Sequence, residues 1–319
     1  MYTRREFGAL SAMALGGLAL PRRLAAQIDS TVGGVKIGVQ TYSFRALPRS
    51  VAIVEHDRTA VWPPGEDQSE AIIQAMTRCR IGDCELWSPM LEPVSGVGRD
   101  ASPDARRQAR DELRRWRVET PLSHFEAIRD RFTAAGLTIY GFNYSFNDSF
   151  SDDEIDRGFE IARALGAEII TASSTLSAMK RVVPFAARHQ MVVAVHNHSN
   201  ISDPNEFARP ESFAAAMALS PYVKVNLDIG HFTAANYDPV AYLREHHASI
   251  SNLHLKDRRR DQGANVPWGT GDTPIREVLQ LLQRERWPIR AHVEYEYRGS
   301  GSPVDEVIRC YNYVKQALV

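Results

Sequence analysis

The sequence predicts an α/β protein whose parallel strands close into a (β/α)8 TIM barrel. Strand-like and helix-like segments alternate in about eight units within the 319 residues, as expected for a barrel of this size. The strand-like segments are short and apolar, which is typical of parallel sheets covered by helices. An open, doubly wound sheet is the main competitor, but "VQTYSFR" in the first strand segment is not the glycine-rich phosphate turn of that fold.

The predicted elements follow one another in regular order. The strands are Val35–Phe44, Asp83–Trp87, Leu137–Asn143, Ala167–Ser173, the stretch Val192–Asn200, Val223–Gly230, Ser249–Asp257 and Ile289–Glu296. The helices are Glu70–Cys79, charged helices up to about Ala135, Ser151–Leu165, Met179–His189, Asp238–His247 and Thr273–Glu285. The helix at Ser151 begins with a serine cap and an acidic first turn, which stabilise a helix N-terminus.

Residues 1–26 form a separate unit. The pair Arg4–Arg5 precedes a weakly apolar stretch over residues 8–20, which is too short to span a bilayer. This layout is that of a signal peptide and resembles a twin-arginine export signal, with an ordinary amphipathic helix as the alternative. We therefore expect cleavage near Ala26, recognition by the twin-arginine export machinery and a periplasmic location. Residues 27–319 are expected to form a single catalytic domain.

The charge balance argues against nucleic acid as a partner. The chain has 38 Lys and Arg against 39 Asp and Glu, so it lacks the basic surface that binds phosphate backbones. Stable membrane association is not expected, since the apolar stretches are too short. The three cysteines, Cys79, Cys84 and Cys310, are interpreted as thiols, with a Cys79–Cys84 bridge as the alternative.

Metal-binding side chains end four consecutive predicted strands. They are His196 with His198, Asp228 with His231, His254, and Glu294 with Glu296. The carboxyl ends of barrel strands meet around one point, so His196, Asp228, His254 and Glu294 are expected to bind one divalent cation. Two imidazoles and two carboxylates suit Mn²⁺, which we favour, or Zn²⁺, Co²⁺ or Fe²⁺. Such an ion polarises a carbonyl and an adjacent hydroxyl of a substrate.

Further residues are expected to contact the substrate or to move protons. His198 either binds substrate and transfers protons or only hydrogen-bonds a neighbouring metal ligand. Lys256 either neutralises an enolate oxygen or forms a structural ion pair. Trp87 either packs against a sugar ring in the site or belongs to the core. The other expected substrate contacts are Tyr42, Glu85, His231 and Glu296, and the expected catalytic residues are Glu294, His198, His196 and Lys256.

Several motifs resemble the sugar phosphate isomerase/epimerase superfamily of xylose-isomerase-like TIM barrels. They are "GVQTYSFR", "CELW", "HNHS", "LDIGHFTAANYDPVAYLREHHASISNLHLKDR", "PWGTGD" and "HVEYE". The family typically binds one divalent metal through Glu, Asp, His and Glu on successive strands, and Asp228, His254 and Glu294 match the last three. His196, in His-Asn-His, stands where the family has its first Glu. The His-Asn-His variant resembles a subgroup with inosose-dehydratase-like and keto-sugar-processing members.

The resemblance implies a metal-dependent isomerase or epimerase that removes a proton next to a carbonyl and forms an enediolate. Because His196 replaces one of two proton-exchanging glutamates, a lyase that eliminates from a keto-sugar or 3-keto-glycoside is the alternative. A non-catalytic sugar-binding barrel is the second alternative. Export favours a free sugar, cyclitol or glycoside as substrate, since sugar phosphates are largely cytoplasmic. Residues 88–118 are compatible with a lid, with a contact in a homo-oligomer, or with neither.

Overall fold

The computed structural model describes residues 25–47, 67–94, 97–98 and 100–319. The predicted signal peptide therefore lies outside the described residues, except for Ala25 and Ala26. The Ala25 N–H donates a hydrogen bond of 3.0 Å to Ala134 O. Among the described residues, none of the helices combines the length and the apolar character needed to cross a bilayer.

Eight parallel strands close into a barrel, which confirms the predicted (β/α)8 fold. The strands in chain order are β1 (Thr31–Val32), β2 (Val35–Gln40), β3 (Asp83–Trp87), β4 (Thr138–Asn143), β5 (Ile169–Ser173), β6 (Val192–His196), β7 (Val223–Asp228), β8 (Ile250–Leu255) and β9 (Arg290–Val293). From β2 to β9 each strand pairs in parallel with its successor, and β2 also pairs with β9, which closes the sheet. Strand β1 pairs antiparallel with β2 outside this ring.

Helices surround the barrel. They are α1 (Ser69–Cys79), α2 (Pro103–Glu119), α3 (Leu122–Ala134), α4 (Asp152–Ala164), α5 (Leu176–His189), α6 (Pro210–Met217), α7 (Ile229–Ala234), α8 (Pro239–His246), α9 (Ile275–Glu285) and α10 (Pro303–Ala317). The cap predicted at Ser151 forms, because Ser151 Oγ accepts the Glu154 N–H and the Glu154 side chain accepts the Ser151 N–H. Such reciprocal bonds satisfy donors that a helix N-terminus leaves free.

The main apolar core lies between the sheet and the helices, whereas the interior of the barrel holds a polar network beside a small apolar cluster of Tyr140, Ile169 and Ala194. Strand residues such as Val39 and Leu253 are 0 % exposed and belong to the core shared with helix side chains. Asn252 and His292 are also fully buried, but they belong to a hydrogen-bonded network inside the ring of strands. A buried polar group is costly without partners, so these hydrogen bonds are what stabilise the polar interior beneath the site.

Two strands end short of their predicted ends because a side chain turns the backbone. The Gln40 side chain accepts the Tyr42 N–H, which ends β2 and starts a 3-10 turn over Thr41–Phe44. Asp228 Oδ1 accepts the His231 N–H at 2.7 Å, which ends β7 and caps α7. In both cases the last strand residue is polar and sits at the carboxyl end of the barrel.

All three cysteines are buried and free. Burial raises the pKa of the Cys79 thiol to about 12, so this group stays protonated at neutral pH. The interpretation of the cysteines as thiols holds, and the alternative Cys79–Cys84 bridge does not form.

Candidate active site

A cavity of about 280 Å³ opens at the carboxyl ends of the barrel strands. It is lined by Gln40, Tyr42, Trp87, Asn143, Ser145, Ser173, His196, His198, His231, His254, Lys256, Glu294 and Glu296. Each barrel strand, or the segment that follows it, contributes to this lining. Active sites of such barrels assemble at this end, so the cavity is the candidate active site.

The four predicted metal ligands come together at the base of the cavity. His196 ends β6, Asp228 ends β7, His254 lies in β8 and Glu294 follows β9. Ligand atoms of His196, Asp228 and His254 lie within 4.8 Å of one another. Glu294 Oε2 lies 3.1 Å from His254 Nδ1. The barrel therefore holds a buried group of His, Asp and Glu side chains that can bind a metal ion.

Each of these four residues has one buried atom without a directed hydrogen bond. Within the described part of the chain, the atoms are His196 Nδ1, Asp228 Oδ2, His254 Nδ1 and Glu294 Oε2. Lys256 Nζ approaches the two carboxylate oxygens, and the two buried imidazole nitrogens are left without hydrogen bonds, which is rare in native proteins and needs a physical reason. A divalent cation fits this set, because two imidazole nitrogens and two carboxylate oxygens are ligands that such ions accept.

Lys256 places a positive charge beside the same carboxylates. Its Nζ lies 3.0 Å from Asp228 Oδ2, 2.8 Å from Glu294 Oε2 and 2.5 Å from Glu296 Oε2. Burial lowers the pKa of a lysine, but the three carboxylates raise the pKa of Lys256 above its usual value. Lys256 is therefore charged, and it both forms a buried ion pair and lines the cavity.

The surroundings shift the pKa values of the two predicted carboxylate ligands, Asp228 and Glu294, in opposite directions. Burial raises the pKa of Asp228 to about 7. Burial also raises the pKa of Glu294, but Lys256 and His254 lower it to well below its usual value. Burial keeps the pKa of His196 well below its usual value, so this imidazole is neutral at neutral pH. Neutral imidazole and ionised carboxylate are the forms that bind a metal.

Asn197 fixes the end of β7, a role that the sequence analysis missed. Its Oδ1 accepts the Asp228 N–H at 2.8 Å, and its Nδ2 donates to Asp228 O at 3.1 Å. The side chain is fully buried between the two strands. Alternation along His-Asn-His therefore sends His196 and His198 to the cavity and Asn197 to the neighbouring strand.

His198 and His231 form a histidine wall near the cavity mouth. His198 lies beyond the end of β6, where its N–H donates to Phe207 O at 3.0 Å. The rings of His198 and His231 lie 5.1 Å apart, edge to face. His231 Nδ1 lies 2.6 Å from Arg258 Nη1 and accepts its hydrogen bond, which leaves the proton on His231 Nε2. With the Arg258 charge adjacent, this wall suits hydrogen bonds to a substrate better than a second cation.

Tyr42 and Trp87 form the aromatic part of the cavity wall. Their ring centroids lie 4.8 Å apart at an angle of 87°. Trp87 is half-buried, so it packs against the core and also faces the cavity. Asn143, Ser145 and Ser173 add polar groups that the sequence analysis did not single out. An apolar wall with a few polar groups is the usual composition of a small-molecule site.

Of the remaining expected substrate contacts, Glu296 lines the cavity and Glu85 does not. Glu85 is 0 % exposed and lies beneath the cavity, inside the barrel. Its carboxylate accepts hydrogen bonds from Gln40 Nε2 at 2.6 Å, from Thr171 Oγ1 at 2.6 Å and from other donors. The expectation that Glu85 contacts substrate is therefore corrected, because these donors occupy its oxygens and enclose it.

A family model described as xylose isomerase-like TIM barrel matches residues 100–313, which is more than half of the chain. The matched range contains His196, Asp228, His254 and Glu294. No curated protein matches the sequence.

Solved structures share the fold at low sequence identity. The 3-keto-D-glucoside 4-epimerase from E. coli is 12% identical, with a TM-score of 0.56 over 88% of this chain and 99% of that one. The probable 3-DHS dehydratase of petrobactin synthesis from Bacillus anthracis is 14% identical, with a TM-score of 0.58 over 88% and 99%. A sugar phosphate isomerase/epimerase from Parabacteroides distasonis is 15% identical, with a TM-score of 0.56 over 93% and 99%. At these identities the likeness establishes the fold alone.

Proposed function

Because this chain belongs to the xylose isomerase-like TIM barrel family, we propose that it is a divalent-metal-dependent isomerase or epimerase of an unphosphorylated sugar or cyclitol. The proposal rests on one observation, the convergence of His196 Nδ1, Asp228 Oδ2, His254 Nδ1 and Glu294 Oε2 at the base of the cavity. Mn²⁺ is the favoured ion for this donor set. When bound, it supplies Lewis-acid polarisation of a carbonyl and the adjacent hydroxyl.

The proton transfers fall to the side chains around the cavity. Glu294 is ionised and lines the cavity, so it serves as the base that takes the proton next to the carbonyl. Charged Lys256 lies 2.8 Å from Glu294 Oε2 and keeps this carboxylate ionised. Protonated Glu294 then returns the proton to the other carbon or to an oxygen. Burial lowers the pKa of His198, so this imidazole is neutral and hydrogen-bonds the substrate at the cavity mouth. Neutral His196 holds the cation and does not act as the base.

The lining of the cavity favours a neutral sugar over a sugar phosphate. Of the described residues that line it, Lys256 is the only Lys or Arg, and its charge is already met by three carboxylates. A phosphate group needs free cationic or N–H donors. The export signal predicted over residues 1–26 supports the same substrate class. We accordingly propose the twin-arginine machinery as a partner and the periplasm as the location.

One observation favours a lyase as the second candidate. The first ligand position holds the imidazole of His196, so the group lacks a second glutamate of the kind that exchanges protons across a substrate. A single group at Glu294 can take the proton as a base and then give it to the departing oxygen as an acid, which suits expulsion of a leaving group. The substrate of such a β-elimination is a keto-sugar or a 3-keto-glycoside.

Incubation of the purified protein with keto-sugars in D2O tests the proposal. We expect deuterium at the carbon next to the carbonyl in the presence of Mn²⁺, its loss with EDTA, and its return when Mn²⁺ is restored. NMR of the products separates an isomer or epimer from a dehydrated sugar. Sugar binding without exchange on any substrate would identify a non-catalytic sugar-binding barrel and overturn the proposal.

A further inference from the structure

We propose that Glu85 is a positioning residue that sets the tautomer and the ring orientation of His254, so that His254 Nδ1 faces the metal site. The inference deepens the proposed function and rests on it in one respect, namely that a cation binds at this site. Glu85 itself does not line the cavity and does not contact the four proposed metal-binding atoms, which are His196 Nδ1, Asp228 Oδ2, His254 Nδ1 and Glu294 Oε2. Its effect on the site must therefore pass through a neighbouring side chain.

Glu85 is held rigidly at the centre of the barrel by six other strands. Its Oε1 accepts from Gln40 Nε2 (2.6 Å), Asn143 Nδ2 (3.0 Å) and Thr171 Oγ1 (2.6 Å). Its Oε2 lies close to Asn226 Nδ2 (3.3 Å), Asn252 Nδ2 (2.9 Å), His254 Nε2 (2.7 Å) and His292 Nδ1 (3.4 Å). A carboxylate has about four lone-pair sites, so Glu85 has none left for a substrate or a cation.

His254 joins this carboxylate to the ligand group. One ring nitrogen, Nε2, is 2.7 Å from Glu85 Oε2 and is the donor in that bond. The other, Nδ1, lies 3.1 Å from Glu294 Oε2 and 3.9 Å from Asp228 Oδ2. The hydrogen bond at one nitrogen of an imidazole determines which nitrogen is left free to bind a metal. Glu85 thus keeps a proton on Nε2, so Nδ1 is the nitrogen that gives up its proton to bind a cation.

Asp83 provides a matched comparison within the same network. It is buried like Glu85, and its Oδ1 lies 3.2 Å from His292 Nε2. The His292 ring packs against Gly38, where a Cβ would come within 2.3 Å of His292 Cδ2. Asp83 therefore also fixes a buried histidine, but His292 is not one of the proposed ligands. Loss of Asp83 and loss of Glu85 should both disturb the barrel interior. Only the loss of Glu85 should weaken metal binding.

The test compares Glu85→Gln with Asp83→Asn by the binding of Mn²⁺ in competition with a chromophoric chelator. We expect Glu85→Gln to weaken Mn²⁺ binding by about 10- to 100-fold, the range typical of partners that orient a ligand. Asp83→Asn should bind Mn²⁺ close to wild type. Histidine ¹⁵N NMR adds a direct readout, since the wild-type His254 should carry its proton on Nε2 and Glu85→Gln should lose this preference.

Equal Mn²⁺ affinity in Glu85→Gln and wild type, or equal losses in the two variants, would overturn the inference in favour of a purely structural role. If Glu85→Gln does not fold, Glu85→Asp keeps the charge but withdraws it from His254, and the same comparison with Asp83→Asn decides. If the wild-type protein binds Mn²⁺ but turns over no sugar, the proposed function is wrong and this inference is unaffected. A wild-type protein that binds no metal at these residues overturns both.

Discussion

At the scale of single residues, the site depends on side chains that end strands and on the bonds that hold them there. His196 and His198 reach the cavity because strand residues alternate, and Asn197 between them ties the backbone of Asp228. Lys256 keeps three carboxylates close together in a buried place. The chemistry of the site therefore rests on few atoms, and single substitutions test it.

Glu294→Gln should abolish metal-dependent deuterium uptake and leave the fold intact. The amide keeps the shape of the side chain but cannot take a proton, so we expect kcat to fall by about 10²- to 10⁴-fold. Exchange in D2O measures the activity, and circular dichroism during heating checks the fold. Glu211→Gln, at an exposed position of α6, serves as the control and should be fully active. Full turnover in Glu294→Gln would show that another group is the base.

Asn197→Ala should destabilise the protein by about 1–3 kcal/mol, because it leaves the buried N–H and C=O of Asp228 without their partners. Urea unfolding measures the loss. Asn312→Ala, at an exposed position of α10, is the control and should lower the free energy of unfolding by less than about 0.5 kcal/mol. Similar values for the two variants would contradict the role of Asn197 as the bond between β6 and β7.

At the scale of elements, the barrel strands carry the side chains at the base of the site, and the segments that follow the strands form its wall. Helix α2 is unusual among the described helices because it has no buried residue. Arg117 near its C-terminus joins it to the barrel, with Nε 2.9 Å from Glu92 Oε1 and Nη1 3.2 Å from Glu154 Oε1. The same guanidinium lies over the rings of Tyr144 and Phe150. The helix is thus attached by a buried charged contact together with the ring of Trp116, which packs against Phe125.

Arg117→Met should therefore destabilise the protein by about 1.5–3 kcal/mol, since it removes charged hydrogen bonds to the enclosed carboxylates of Glu92 and Glu154, although Glu154 keeps its contact with Arg114. Thermal and urea unfolding measure the change. Arg107→Met on the same helix is the matched control, because Arg107 is 67% exposed and its pair with Asp104 contributes little. An Arg117 variant as stable as the Arg107 variant would show that α2 is held by other contacts.

At the scale of the whole molecule, the ligand group links β6, β7, β8 and the end of β9. A cation that binds only the folded chain stabilises it by mass action. We expect Mn²⁺ at 100 times its Kd to raise the free energy of unfolding by about 2.7 kcal/mol and EDTA to reverse the gain. Thermal unfolding measures the shift. Asp228→Asn should lose most of the gain, and an unchanged shift in this variant would mean that the ion binds elsewhere.

The barrel and the meeting of the four proposed ligands at one place could be predicted because both follow from local patterns. Short apolar strands alternate with capped helices, and each ligand stands at or just beyond the end of its strand, so closure of the sheet brings the ligands together. Trp87, Tyr42, His231 and Glu296 followed from the same rule and do line the cavity. The strand ends were less accurate, since Gln40 and Asp228 turn the backbone with their own side chains.

The sequence by itself determined the fold class and the positions in the chain that face the open end of the barrel, because strand alternation and strand order are properties of the chain. Only the tertiary structure decided which polar residue faces the cavity and which lies beneath it. Glu85 and Trp87 share a face of β3, yet Glu85 is enclosed by donors from six other strands and Trp87 meets the cavity. Depth along the barrel axis depends on the register of all eight strands at once, and no single segment of the sequence carries that information.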